Sequence, residues 1–172
     1  MDPIHSPEGR TTTLIRLSVA TDAAELAPSL READGRELKS LCGMTPLQGL
    51  ELSYENSVAG TCFTGFVDDK PACMWGLGAA ETLGVAHPWL LASDLIEEVP
   101  MTFLRHSVKV VKAWAEMYPL LTNVADPRNT LHLKWLDFLG FKQVKVWPEY
   151  GIDKSPFIQF IRTAKCVSLY SP

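Results

Sequence analysis

Apolar and polar positions change rhythm several times along the chain, and each rhythm predicts an element. The clearest passage lies between residues 120 and 147. Leu120, Leu121 and Val124 form an apolar run that reads as a strand. Asp126-Pro127 stops it and starts a helix, because Asp accepts free amides and Pro lacks the N–H that would go unpaired at the first helical position. Either Asp126 or Asn129 can serve as the cap. Leu131, Trp135, Phe138 and Leu139 then recur at three- and four-residue spacing, which predicts one apolar helix face with Trp135 buried against a sheet. Gly140 suits the positive φ of a helix end. Phe141 folds back on the apolar face, and a second strand runs over 141–147.

The rest of the pattern is read in chain order. Alternation over 12–19 predicts a first strand. Thr21 or Asp22 caps a helix, with Glu25 reaching back to an N-terminal amide and Leu26 and Leu30 on its apolar edge. Gly35 weakens a helix by about 1 kcal/mol relative to Ala, so a break is expected near Asp34-Gly35, followed by a short helix to Leu41. Thr45-Pro46 reads as a cap and first turn of a helix to about Tyr54, which Gly49 makes marginal. Strands over 61–67 and 71–77 flank a hairpin turn at Asp68-Asp69-Lys70, with Cys73 and Trp75 on one face and Ala72, Met74 and Gly76 on the other. At Gly76 and Gly78 either a backbone or a ligand is expected to come close, or the strand bulges, the bulge being favoured.

His87-Pro88 precedes a short central strand over 89–93, and an acidic link over 94–98 follows. Pro100 opens the longest helix, to about Tyr118. Its buried face is expected to carry Phe103, Leu104, Val108, Val110, Val111, Trp114, Ala115 and Met117, with Arg105, Lys109, Lys112 and Glu116 wet. A last strand covers 157–163, before a short apolar tail over 166–170. This order predicts an α/β fold, a mixed sheet with helices on both faces.

Composition narrows the function classes. With 172 residues and 47% hydrophobic side chains, the chain can bury a sizeable core, so one domain is expected over 12–172 behind a flexible tail over 1–11. A formal charge of −4 does not advertise nucleic acid, and acidic neighbours dilute any stripe of Arg105, Lys109 and Lys112. The four cysteines and four histidines have no metal-ligand spacing. No apolar run reaches the ~20 residues of a membrane span, and residues 1–10 lack the apolar stretch of a signal peptide.

Asn129 followed by a helix that closes on Leu139-Gly140-Phe141, within this element order, resembles the GNAT N-acetyltransferase fold. Further pieces are similar to a bacteriophage family of GNAT-like proteins related to the T7 internal virion protein gp13. They are Arg31-Glu32-Ala33-Asp34 with Glu37-Leu38, Trp89-Leu90-Leu91, Phe103-Leu104-Arg105, Leu121 to Asp126, and Trp135 to Phe141. The resemblance implies a V-shaped splay between the parallel strands over 89–92 and 120–124, with room for a pantetheine arm. It implies a coenzyme A site at Leu91, Ala92, Ser93, Met101, Thr102, Arg105 and Asn129. It also implies an acceptor side where Glu32, Asp34 and Glu37 could hold an amine, with His87 as a further base candidate. A solvated charge run explains the acids equally well, and a turn role explains His87.

Two departures bear on function. Coenzyme A pyrophosphate usually rests on free amides of a glycine-bearing helix start. Here residues 93–102 hold no glycine, carry Asp94, Glu97 and Glu98, and lose one donor at Pro100. The Tyr that many of these enzymes use as general acid, four residues before the Gly, is Leu136. The expected reading is therefore a phage virion component or host-directed interaction protein that binds a phage or host protein, acts in the host cytoplasm or virion, and needs no cofactor. Acetyl-CoA is expected to bind more weakly than about 100 μM, or less than about 5.5 kcal/mol. The alternative is an acetyl-CoA-dependent N-acyltransferase. His132, early in the last helix, is expected to be exposed.

Overall fold

The computed structural model describes residues 11–164. Residues 1–10 of the expected N-terminal tail, and the apolar tail over 166–170, lie outside the described residues. The elements follow in order: β1 (Thr13–Leu17), α1 (Ala20–Leu26), α2 (Glu32–Cys42), α3 (Pro46–Glu55), β2 (Phe63–Val67), β3 (Lys70–Ala79) and β4 (Val85–Ala92). Then come α4 (Pro100–Met117), β5 (Leu120–Ala125), α5 (Thr130–Phe138), β6 (Lys142–Trp147) and β7 (Phe157–Thr163). Short 3-10 turns follow α1 and β4. Among the described residues no helix is long and apolar enough to cross a membrane, and no acidic, His or Cys group is set to hold a metal.

The sheet has seven strands in the order β1-β2-β3-β4-β5-β7-β6. Every neighbouring pair is antiparallel except β4 and β5. That parallel pair holds only at Val85↔Leu120 and Ala86↔Leu121. Beyond it the two strands diverge, which is the expected V. The alternation in β3 sorts the core as expected. Cys73, Trp75 and Leu77 face Val111 and Trp114 of α4, Leu136 of α5 and Leu139 just after it. Met74 points the other way, with Leu26 of α1 and Leu50 of α3.

Local signals hold where they depend on backbone geometry. Asp68 and Asp69 take φ of 46° and 62°, the left-handed pair that a tight hairpin needs. Gly140 has φ 81° and Phe141 is buried behind it. Thr45 Oγ1 accepts from Gln48 N at 3.3 Å while Gln48 Oε1 accepts from Thr45 N at 3.0 Å, a reciprocal cap.

Other expectations are corrected. Helix α2 runs unbroken through Gly35, because tertiary hydrogen bonds of Asp34 outweigh the small glycine penalty. Helix α1 has Val19 at its N-cap, and Asp22 rather than Glu25 accepts the capping amide, Val19 N, at 3.0 Å. Helix α5 starts at Thr130, capped by Asn129; Asp126 is spent on the preceding turn, accepting from Arg128 N at 2.8 Å. On α4, Val108 and Met117 are exposed and Ser107 is buried, so the buried stripe is narrower than the apolar one.

Strand β4 begins at Val85, so His87 and Pro88 lie inside it. Pro88 costs no ladder bond, because its nitrogen faces the diverging side. Gly76 marks no bulge, because the β3–β4 register is continuous there, and the close approach is made by side chains rather than by backbone. A Cβ on Gly76 would lie 2.8 Å from Ser57 Oγ and 2.9 Å from Trp89 Nε1. These two atoms are hydrogen-bonded to each other at 3.0 Å. Gly76→Ala is therefore expected to lose about 1–3 kcal/mol in urea melts. A loss under about 0.5 kcal/mol would mean that Trp89 moves aside freely.

Candidate active site in the splay between β4 and β5

Ser93 N donates to Ala72 O at 2.8 Å. Strand alternation then turns the amides of Leu91 and Trp89 toward β3, and those of Ala92 and Leu90 toward the space that β5 has left. Two side-chain contacts bridge part of this gap. His87 Nδ1 lies 2.8 Å from Thr122 O, and Asn123 Nδ2 donates to Pro88 O at 2.7 Å. Ala92 N donates to Asp34 Oδ2 at 3.0 Å, and Ala92 O accepts from Arg31 N at 2.9 Å. The N–H and C=O of Leu90 have no partner among the described residues. One rung of the splay stays open.

Helix α2 closes the wide end of the V. Asp34, 2% exposed, accepts from Arg31 Nε and Nη2 at 3.0 and 2.8 Å and from Asn129 Nδ2 at 3.0 Å. The same Asn129 nitrogen donates to Glu37 Oε2 at 3.0 Å. His132 Nδ1 is 3.7 Å from Glu37 Oε2, and both side chains are only 13% exposed. Burial works against a charge on His132, but Glu37 and Asp34 outweigh it and hold its pKa above the usual histidine value.

Beside this network, on the α4–α5 face, lies an apolar slot of about 270 Å³. Leu90, Ala92, Phe103, Leu131, Trp135 and Phe138 line it, with Arg31, Glu97, His132 and Lys134 at its polar edges. Phe103 and Trp135 stack with ring centroids 5.6 Å apart. This slot explains the helix face read from the sequence. Helix α5 has two apolar faces: Leu136 enters the core with Leu139, the residue after the helix, while Leu131, Trp135 and Phe138 turn to the slot. Phe138 is 58% exposed, and Trp135 is half-buried rather than sealed against the sheet. The indole Nε1 is buried with no hydrogen-bond partner, an open donor.

The predicted site residues divide. Asp34, Glu37 and Asn129 come together at the end of the splay. Glu32 points outward, with only a 3.8 Å contact to Arg36, and His87 sits near the apex of the V, away from the acids. Leu91 packs toward α1 and α3, Ser93 is buried and bonded to Ala72 O, and the N–H and C=O of Ala92 are both taken. Met101, Thr102 and Arg105 are exposed on the first turns of α4. Val99 caps that helix without a side-chain bond, and Asp94, Glu97 and Glu98 are exposed just before it. Sequence reasoning missed Arg31, placed His132 on the surface, and gave the Trp135 nitrogen no role. The usable signals were Arg31 three residues before Asp34, and His132 three after Asn129.

No family profile and no curated protein matches this sequence. Solved structures do. An N-acetyltransferase from Staphylococcus aureus Mu50 superposes with a TM-score of 0.67 at 13% identity, over 90% of this chain and 99% of that one. The ribosomal-protein-S18-alanine N-acetyltransferase from Escherichia coli gives 0.62 at 15%, over 93% and 100%. A putative acetyltransferase from Salmonella typhimurium, solved with its cofactor acetyl-CoA, gives 0.61 at 10%, over 91% and 96%. At such identities the likeness is one of architecture. The mixed sheet, splayed between its two central strands and flanked by helices, is the GNAT fold.

Proposed function

We propose that this chain is an N-acyltransferase that takes its acyl group from a coenzyme A thioester and gives it to an amine of a protein or small molecule. The observation that carries this reading is the open Leu90 rung beside an apolar slot with an unpaired indole donor. An extended, amide-bearing arm fits that combination. Leu90 offers one donor and one acceptor in strand geometry, and Trp135 Nε1 offers a second donor. The slot's apolar walls keep water from the reacting bond. The bound thioester supplies an activated acyl carbon. Placement by these groups can contribute most of the rate gain. At the start of α4, the amides of Met101 and Thr102 with Arg105 are the groups available to phosphate oxygens. Glu97 and Glu98 oppose them and weaken the affinity.

Isothermal titration calorimetry with acetyl-CoA at physiological salt tests this reading. Saturable one-to-one binding is expected, with a Kd on the order of 100 μM and in any case below about 1 mM, the equivalent of about 4.1 kcal/mol. No heat at millimolar acetyl-CoA would overturn it. A second reading keeps the scaffold and drops the chemistry: an interaction protein of a bacteriophage, acting in the host cytoplasm or carried in the virion, with a phage or host protein as partner. The acidic, glycine-free start of α4 favours it, together with the ordered sequence pieces that resemble the phage family.

A further inference from the structure

The described histidines have different surroundings. His87 is exposed at the edge of the splay, and His106 packs against Phe63 and Trp75. His132 alone among them lines both the apolar slot and the small cavity that continues into the gap between β4 and β5. Leu90 and Trp135 line both spaces as well, so the imidazole shares its surroundings with the open rung and the unpaired indole. Its Nδ1 is turned to Glu37, and its Nε2 has no hydrogen-bond partner among the described residues. Leu136, which has no proton to give, follows one helical turn later and lines the inner cavity too.

The charges around His132 can be followed element by element. Helix α2 presents Glu37 and Asp34, while its flanking Arg31 is engaged by Asp34. Helix α5 contributes its positive N-terminal end and Lys134, both unfavourable to an imidazolium. Glu97, before α4, stands at the slot's edge, and the facing parts of β4 and β5 carry no ionisable side chain except His87 near the apex. The nearest carboxylate, Glu37, tips the balance and favours the protonated ring in an otherwise apolar slot.

We propose that His132, held by Glu37, supplies the proton that the departing sulfur needs when the acyl group is transferred. This rests on the acyl-thioester reading above. His132 gives its Nε2 proton to the sulfur as the carbon–sulfur bond breaks and the bonding pair stays on sulfur. Its neutral ring then takes up the proton that the attacking nitrogen loses on forming the new carbon–nitrogen bond. The cycle is balanced and returns the imidazolium.

The test uses reduced coenzyme A and no acceptor, so it does not depend on turnover. The full chain is titrated with coenzyme A, and ionisation of the bound thiol is followed by ultraviolet absorbance across pH. An imidazolium beside the sulfur is expected to lower the bound thiol's pKa by about one unit or more against the free thiol. In His132→Gln the shift is expected to vanish. A bound thiol that titrates normally in the wild type, or identically in both proteins, overturns the proposal while leaving acyl-thioester binding intact. Failure of the wild type to bind coenzyme A at all overturns both. If His132→Gln does not fold, NMR titration of His132 in the wild type gives the answer. Its pKa is expected to move with coenzyme A and not with the desulfo analogue, and equal shifts with both ligands overturn the assignment.

Discussion

Replacing Asp34 by alanine is expected to destabilise the protein by about 3–5 kcal/mol. The carboxylate is buried and accepts four hydrogen bonds, from Arg31 Nε, Arg31 Nη2, Ala92 N and Asn129 Nδ2. Its removal leaves a buried guanidinium without its counter-charge and a strand amide without an acceptor. Both penalties exceed what the intact ion pair contributes, because the cost of an orphaned buried charge is larger than the net worth of the pair. Asp34 also joins three elements that are distant in sequence: α2, the end of β4 and the start of α5. The same substitution is therefore expected to loosen the network that holds Glu37 and His132. Urea denaturation followed by circular dichroism measures the first effect. A loss below about 1 kcal/mol would show that water reaches Arg31 and replaces the carboxylate.

The second large effect is expected at Asp22, at the β1–β2 edge of the sheet. Asp22 accepts from Arg16 through Nη1 and Nη2 at 2.7 Å each, from Thr64 Oγ1 at 2.6 Å and from Val19 N at 3.0 Å. It ties β1, β2 and the start of α1 together. Asp22→Asn is expected to cost about 2–4 kcal/mol, less than the full figure for a buried pair because Arg16 keeps 38% of its side chain exposed. Burial pushes the Asp22 pKa up, but the hydrogen bonds from Arg16, Thr64 and Val19 outweigh it and hold it below the ordinary aspartate value. A carboxyl whose folded pKa is depressed stabilises the fold above its unfolded pKa, and that contribution is lost as pH falls through the folded value. The wild type is accordingly expected to lose stability on acidification below about pH 4 more steeply than Asp22→Asn. Parallel acid-limb slopes in the two proteins would exclude Asp22 as a source of that dependence.

The sequence alone determined what depends on neighbours a few residues away. Element order followed from periodicity, because helix and strand place side chains at fixed local spacings. The Asp68-Asp69 turn, the Thr45 cap and the Gly140 stop followed from the backbone geometry that each demands. The α/β class and the splay followed from element order and resemblance. Tertiary structure alone decided the rest. A polar residue in a helix reads the same whether it faces water or a buried partner, so Asp34 and Glu37 could not be separated from Glu32. Asn129 meets Asp34 across 95 positions, and Asp34 meets Ala92 across 58; no local pattern carries such pairings. The Leu131–Trp135–Phe138 stripe announced an apolar face, but only packing showed that it lines a slot while Leu136 fills the core. The half-buried state of His132 had the same origin: Glu37 and Asp34 beside it come from α2, and only folding brings that helix to it.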